Sequence, residues 1–174
     1  MIIRQMHVNE ADNIRQIDRS EQIDRIYKMN GGQLETVPMG HECPTWDEEH
    51  TDEMVNRFRR ELEQGGTAYG AFDGEVLAGF GVLGHRFRGR NQDQLQVDLM
   101  YVSRPYRRQG LATRIMNELS RVAKERGASY LYISSTETES AVGFYRANGG
   151  NLTEEVDEEL YQQEPEDIHM LKKL

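Results

Sequence analysis

Apolar residues recur along this chain in two rhythms, one near two residues and one near three and a half, and the switches between them predict its elements. Ile2-Ile3-Arg4-Gln5-Met6-His7-Val8 reads as a first strand. From Asp12, a helix start, the spacing of Ile14, Ile17, Ile23, Ile26 and Tyr27 predicts a broken helix that Asn30-Gly31-Gly32 stops. Gln33 to His50 has no period and carries Pro38, Gly40 and Pro44, so a loop is expected. Thr51 is the expected cap of a helix through Gln64 with Met54, Val55, Phe58 and Leu62 on one face, and Gly65-Gly66 ends it.

Strands are predicted next. Thr67 to Phe72 and Glu75 to Gly84 flank Asp73-Gly74, a dipeptide suited to a type I′ hairpin turn. Leu95 to Val102 pairs back across the Arg86–Asn91 turn. The clearest helical pattern follows: Leu111, Ala112, Ile115, Met116, Leu119, Val122 and Ala123 fall at three- and four-residue intervals, with Gly127 beyond the end. Then come a buried strand (Tyr130 to Ser134), a short helix (Ser140 to Asn148) and two last strands near Leu152–Val156 and Ile168–Leu171. Because the Leu111–Arg126 helix joins two strands, it forms a right-handed parallel crossover. The fold class is a mixed α/β sheet covered by helices, in one domain spanning 1–174.

Composition narrows the function. At 37% apolar and 29% charged residues the chain holds no run of the roughly 18 apolar residues that a spanning helix needs, so no membrane role is expected. The N-terminal residues are too polar for a secretory signal, and the single cysteine, Cys43, excludes an internal disulfide framework; a cytoplasmic location is expected. The net charge is −9, and eight carboxylates between Glu154 and Asp167 supply nearly all of it. A protein that neutralises phosphates on duplex DNA carries a basic face, so no nucleic-acid partner is expected. Arg86, Arg88 and Arg90 read as a hairpin tip. The acidic run is either a solvated loop or a rim that attracts a cationic substrate.

The chemistry sits where a strand runs through a short turn into the strong helix: Met100-Tyr101-Val102-Ser103-Arg104-Pro105-Tyr106-Arg107-Arg108-Gln109-Gly110-Leu111-Ala112. The first N–H groups of a helix have no partner within it and lie at the positive end of its dipole. Gly110 and Ala112 let a ligand approach the backbone, and Arg107 and Arg108 add charge at the mouth. This junction predicts a pyrophosphate cradle.

These residues resemble the GNAT superfamily of acetyl-coenzyme A-dependent N-acetyltransferases. The junction is similar to the family's Arg/Gln-x-x-Gly-x-Gly/Ala turn, and Ser140-Ala141-Val142-Gly143-Phe144-Tyr145-Arg146-Ala147-Asn148-Gly149-Gly150 resembles its Ala-x-x-Phe-Tyr-x-x-x-Gly-Phe segment. The likeness covers about Gln94 to Leu152. Gly150 stands where Phe is common, and Ser140 where an Asn often touches the cofactor. The resemblance implies a mostly antiparallel sheet of six or seven strands with about four helices, and acetyl-CoA as co-substrate with no metal. It further implies a strand that splays at Met100, Tyr101 and Val102 to meet pantetheine, and a diphosphate resting on N–H groups of Arg107, Arg108, Gln109, Gly110, Leu111 and Ala112. Ser140 is a further cofactor-binding candidate, and a homodimer through the last strands is implied.

The acceptor amine must be neutral to attack, so a base within reach helps. Gln96, Asp98 and Met100 alternate with Val97, Leu99 and Tyr101, which makes Asp98 a candidate base or, equally open, a polar strand residue bonded to its surroundings. Tyr145 matches the family tyrosine that protonates the leaving thiolate; its other reading is an aromatic packed beside Phe144.

Three further patterns are weaker. Gly79-Phe80-Gly81-Val82-Leu83-Gly84 spells a dinucleotide fingerprint but lies in a predicted strand with no helix after it. His41, Cys43 and His50 match no common zinc spacing. Trp46 either lines the acceptor site or anchors its loop. In the resembled family the segments matching Gly31–His50 and Val156–Glu166 surround the acceptor, and both are acidic here. A cationic small-molecule amine is the expected acceptor: an aminoglycoside-like or streptothricin-like antibiotic, or a polyamine. A peptide or protein acetyltransferase and a non-catalytic acetyl-CoA-binding module are the alternatives.

Overall fold

In the computed structural model, which describes residues 1–174, the chain opens with β1 (Ile2–Met6) and a 3₁₀ helix, Val8–Gln16. The helix expected to run from Asp12 to Tyr27 ends there. Glu21–Asn30 is instead a strand, β2, and the segment expected to be a loop forms its partner, β3 (Gln33–Cys43). Gly31 and Gly32 carry φ of +58° and +82°, the two positive values that a type I′ turn requires. The glycine pair therefore joins a hairpin, where the sequence pattern suggested a helix stop. Because this ribbon is exposed along most of its length, no apolar alternation marked it as strand.

Helix α1 (Glu48–Glu63) begins before Thr51: the Asp47 carboxylate caps it by accepting the His50 N–H at 2.8 Å, and Thr51 donates its hydroxyl to the Asp47 carbonyl. Next come β4 (Thr67–Asp73), β5 (Val76–Arg88), β6 (Gln94–Val102), α2 (Leu111–Glu125), β7 (Tyr130–Ser135) and α3 (Glu139–Ala147). The strand expected near Leu152–Val156 is shorter and earlier, β8 (Gly150–Leu152). Within the acidic run lies a helix that the pattern hid, α4 (Glu158–Gln163), capped by Asp157; β9 (Ile168–Lys173) closes the chain.

The main sheet has seven strands in the order β1-β4-β5-β6-β7-β9-β8, antiparallel throughout except for the parallel β6–β7 pair. One face packs on α2 and α3: Ile115, Met116 and Leu119 are fully buried against Leu83, Leu95, Val97, Leu131 and Ile133. Burial of each of these side chains is worth about 1.5–3 kcal/mol. The other face packs on α1 and the 3₁₀ helix through Ile14, Val55, Phe58, Phe80 and Leu99. Gly81 has its role here. A Cβ at that position would stand 2.8 Å from Ile115 and 3.0 Å from Leu119, so the glycine lets α2 lie close on the sheet. The fingerprint-like glycines belong to β5 and its packing.

Two irregularities of β6 shape the site. Leu83 pairs with Val97 and Val82 with Leu99, so Asp98 is the extra residue of a β-bulge. The bulge reverses the alternation expected to place Asp98 and Met100 on one face: Met100 packs on the α2 side, while Asp98 meets α1. Second, β6 pairs with β7 only from Gln94 to Gln96; beyond that the two strands part.

Candidate active site

A cleft of about 450 Å³ opens where β6 and β7 separate. Met100, Tyr101 and Val102 form one wall; Thr136, Thr138, Ser140, Ala141, Phe144 and Tyr145 form the other; the start of α2 forms the floor. Of the ten predicted cofactor-binding residues, Gln109 alone is not among its lining. A parallel pair that stops short leaves the end of β6 with backbone groups free of a ladder on that side, so the cleft wall is partly main chain.

The floor has the unpartnered N–H groups that an anion cradle needs. The Arg114 N–H bonds to the Gly110 carbonyl at 3.1 Å, which leaves the N–H groups of Leu111, Ala112 and Thr113 without partners inside α2. Arg108 and Gly110 have φ of +63° and +77°. Such left-handed residues curl successive N–H groups around a concavity that suits phosphate oxygens. A Cβ at Gly110 would meet nothing within 4 Å, so the glycine is set by its backbone angle and by the open space above it.

The arginines divide their work. Arg107 was expected to add charge at the mouth; instead its guanidinium donates to the carbonyls of Val102, Ser20 and Asp18 at 2.9, 2.7 and 3.3 Å. Burial lowers its pKa accordingly. It ties the end of β6 to the segment before β2. Arg108 is exposed at the cleft, and Arg19, which sequence reasoning missed, lines it with a buried Nε that has no partner. Nothing in the spacing around Arg19 announced this, because the segment after it was expected to be helical.

Tyr145 stands on the buried face of α3 and lines the cleft; burial first, then Tyr101 and Asp167, raises its phenol pKa, so it remains a proton donor at neutral pH. Ser140 also lines the cleft, with its hydroxyl donating to Glu21 of β2. Asp98 does not line this cleft. Arg57 of α1 grips its carboxylate at 2.8 and 3.2 Å and its carbonyl at 3.0 Å, on the opposite face of the sheet. With both oxygens engaged by one guanidinium, Asp98 forms an ion pair that holds α1 to the bulge. Trp46 packs edge-on against Tyr101, with ring centroids 4.8 Å apart, and so anchors its loop to β6.

The acidic run divides as well. Asp157 and Glu159 pair with Arg88, Glu159 also with Arg86, and Glu155 with Arg90, so the expected hairpin-tip arginines hold the α4 segment down. Of the later carboxylates, Glu166 and Asp167 line a second hollow with His169 and Tyr161. His50 bonds to Asp47, and no group of three His, Cys, Asp or Glu side chains is placed to hold a metal ion. No helix is long and apolar enough to cross a membrane.

Comparison with known proteins completes the picture. Residues 33–149 match the family described as Acetyltransferase (GNAT) family. The fold is shared with a nourseothricin acetyltransferase, at 22% identity and TM-score 0.73 over 99% of this chain and 97% of that one. An acetyl coenzyme A complex of a Bacillus anthracis str. Ames protein, provisionally named a streptothricin acetyltransferase, shares it at 17% identity and TM-score 0.73, over 99% and 98%. The PaiA N-acetyltransferase of Thermoplasma acidophilum, in complex with coenzyme A, gives 15%, TM-score 0.65 and the same coverage, 99% and 98%.

Proposed function

The chain belongs to the GNAT acetyltransferase family, and from that premise we propose that it moves the acetyl group of acetyl-CoA to a primary amine of a cationic small molecule, by direct attack in a ternary complex. Acetyl-CoA supplies an activated thioester; the chain's residues bind, orient and exchange protons around it. The observation that carries the reading is the cleft between β6 and β7 with unpartnered N–H groups at its floor and a protonated phenol in its wall. The N–H groups from Arg108 to Thr113 receive the diphosphate. The backbone of Met100, Tyr101 and Val102 lies along pantetheine, with one N–H directed at the thioester oxygen to stabilise the oxyanion that develops there. Tyr145 gives its proton to the departing thiolate.

Support for a cationic acceptor is the net charge of −9 together with the carboxylates of Glu166 and Asp167, which line the second hollow. Such a rim concentrates a polycation and speeds its encounter. The names of two fold neighbours, a nourseothricin and a streptothricin acetyltransferase, point the same way. The test is free-thiol release with acetyl-CoA over a panel of streptothricin, kanamycin, spermidine, a lysine peptide and neutral amines. Turnover of the polycations is expected. Turnover confined to the peptide or to neutral amines refutes the assignment of acceptor class.

A further inference from the structure

We infer that the hollow between α4, β9 and the β2 strand is the acceptor subsite, and that the Asp167 carboxylate takes the proton from the acceptor's ammonium group. The inference rests on the acetyl-transfer reading and adds to it a base other than Asp98, which is ion-paired with Arg57.

Geometry carries the argument. Asp167 immediately precedes β9 and bonds to Ser134, the residue paired with His169, so it lies on His169's side of the sheet, opposite Ile168 and Met170, which pack in the α2–α3 core. Both line a hollow of about 390 Å³ with Lys28 and Met29 of β2 and Tyr161 of α4. The Ser134 hydroxyl, beyond the stretch of β7 that pairs with β6, donates to Asp167 at 2.8 Å and fixes its carboxylate at the edge of this hollow. Asp167 is close enough to Tyr101 and Tyr145, one from each cleft wall, to raise both phenols.

A second, independent feature points to a ligand. The buried His169 ring bonds through Nδ1 to the Tyr132 hydroxyl at 2.6 Å, and that hydroxyl accepts the Asp157 N–H at 2.7 Å. That leaves Nε2 of the ring as a buried polar atom with no partner in the protein, a donor when the Tyr132 hydroxyl gives its proton to Nδ1. An amine that carries a hydroxyl group would satisfy it in either tautomer.

The charged surroundings fit a base that works near neutrality. Burial pushes Asp167 up to about 6; Glu164 after α4 and Glu137 after β7 add to the rise, while Ser134 and Arg57 of α1 oppose it. Lys28 and Glu166 share the hollow's rim. In the reaction, Asp167 accepts one proton from the ammonium, and the freed lone pair attacks the thioester carbonyl carbon. The C–S bond breaks, and the thiolate takes the Tyr145 proton. The second nitrogen proton replaces the one that Tyr145 gave, and Asp167 releases its own to solvent. The balance is ammonium plus thioester to amide, thiol and one proton.

The experiment measures kcat and KM from pH 5 to 9 with acetyl-CoA and streptothricin, alongside the thermal shift that acetyl-CoA produces. For the wild type, kcat falls below about pH 6, as expected of a base that must be ionised. Asp167→Asn lowers kcat about 100-fold and abolishes that acid limb, with the acetyl-CoA shift intact. Ser134→Ala moves the limb to higher pH, since a donor to the carboxylate is lost, and Glu166→Gln raises KM for streptothricin with kcat held. An Asp167→Asn enzyme within threefold of wild-type kcat and with its limb in place overturns this assignment alone. A wild-type protein that binds acetyl-CoA but releases no thiol with streptothricin, kanamycin or spermidine overturns the acetyl-transfer reading as well.

Discussion

Arg107→Ala separates two jobs that the sequence merges. The guanidinium makes three hydrogen bonds to carbonyls on two segments far apart in sequence, Val102 on one side and Asp18 and Ser20 on the other. Bonds from a charged donor are worth about 1.5–3 kcal/mol each, but the group is only half-buried and water will reach some of the abandoned carbonyls. A net loss of about 2–4 kcal/mol is expected, well below the simple sum. For a chain of this size that lowers the melting temperature by about 5–15 °C. Arg107→Lys recovers only part, because one ammonium cannot reach all three oxygens. Arg108→Ala should do the reverse: melting is nearly unchanged, while acetyl-CoA binds about five- to tenfold more weakly, and the deficit shrinks at high salt. Calorimetric melting with and without acetyl-CoA reads both variants. If Arg107→Ala melts like the wild type and loses only affinity, Arg107 is a phosphate ligand and the division of labour is wrong.

Other substitutions probe the remaining parts. Tyr145→Phe should lower kcat about 100-fold, equally from pH 7 to pH 9, because the raised phenol pKa keeps the donor protonated over that range; a variant within threefold removes Tyr145 from the chemistry. Asp167→Asn should be more stable than the wild type at pH 7.5 and no different at pH 4. Its carboxyl titrates near 6 in the fold and near 3.8 unfolded, so folding favours the protonated form and stability falls as pH rises between those values. The full shift of about 2 units corresponds to about 3 kcal/mol, which partial exposure reduces to about 1 kcal/mol; unfolding in urea at both pH values measures it. Gly81→Ala should cost about 1–3 kcal/mol in the same assay, since the added methyl meets Ile115 at 2.8 Å; an unchanged midpoint contradicts the close approach of α2.

The sheet from β4 to β7 and helix α2 were legible in the sequence because each buries a face and so carries a period. The β2–β3 ribbon was not: it rests on the fold by its edges, with an Ile26–Thr138 bridge and a Tyr27 N–H bond to Glu137, and most of its side chains face solvent on both sides. Its one strong signal, Gly31-Gly32, serves equally well as a helix stop. The cradle at Gly110 was readable from a strand that runs into an amphipathic helix, since the angles follow from that junction. The fate of Asp98 was not readable, because a bulge shifts the alternation by one residue and leaves no mark in the residue types. Asp167 was hidden in a run of carboxylates whose partners, Arg86, Arg88 and Arg90, come from the far side of the sheet. Charge counting treats such a run as one block; the ion pairs divide it into a clamp and the carboxylates that line the second hollow.

The central claim is that main-chain N–H groups at the start of α2 hold a diphosphate. Amide nitrogen–proton correlation spectra recorded during a coenzyme A titration address it residue by residue. The account predicts saturable shifts that are largest at the amides from Arg108 to Thr113, and their absence when dephosphorylated pantetheine replaces coenzyme A. Coenzyme A that binds with its largest shifts elsewhere, and leaves those six amides still, contradicts it.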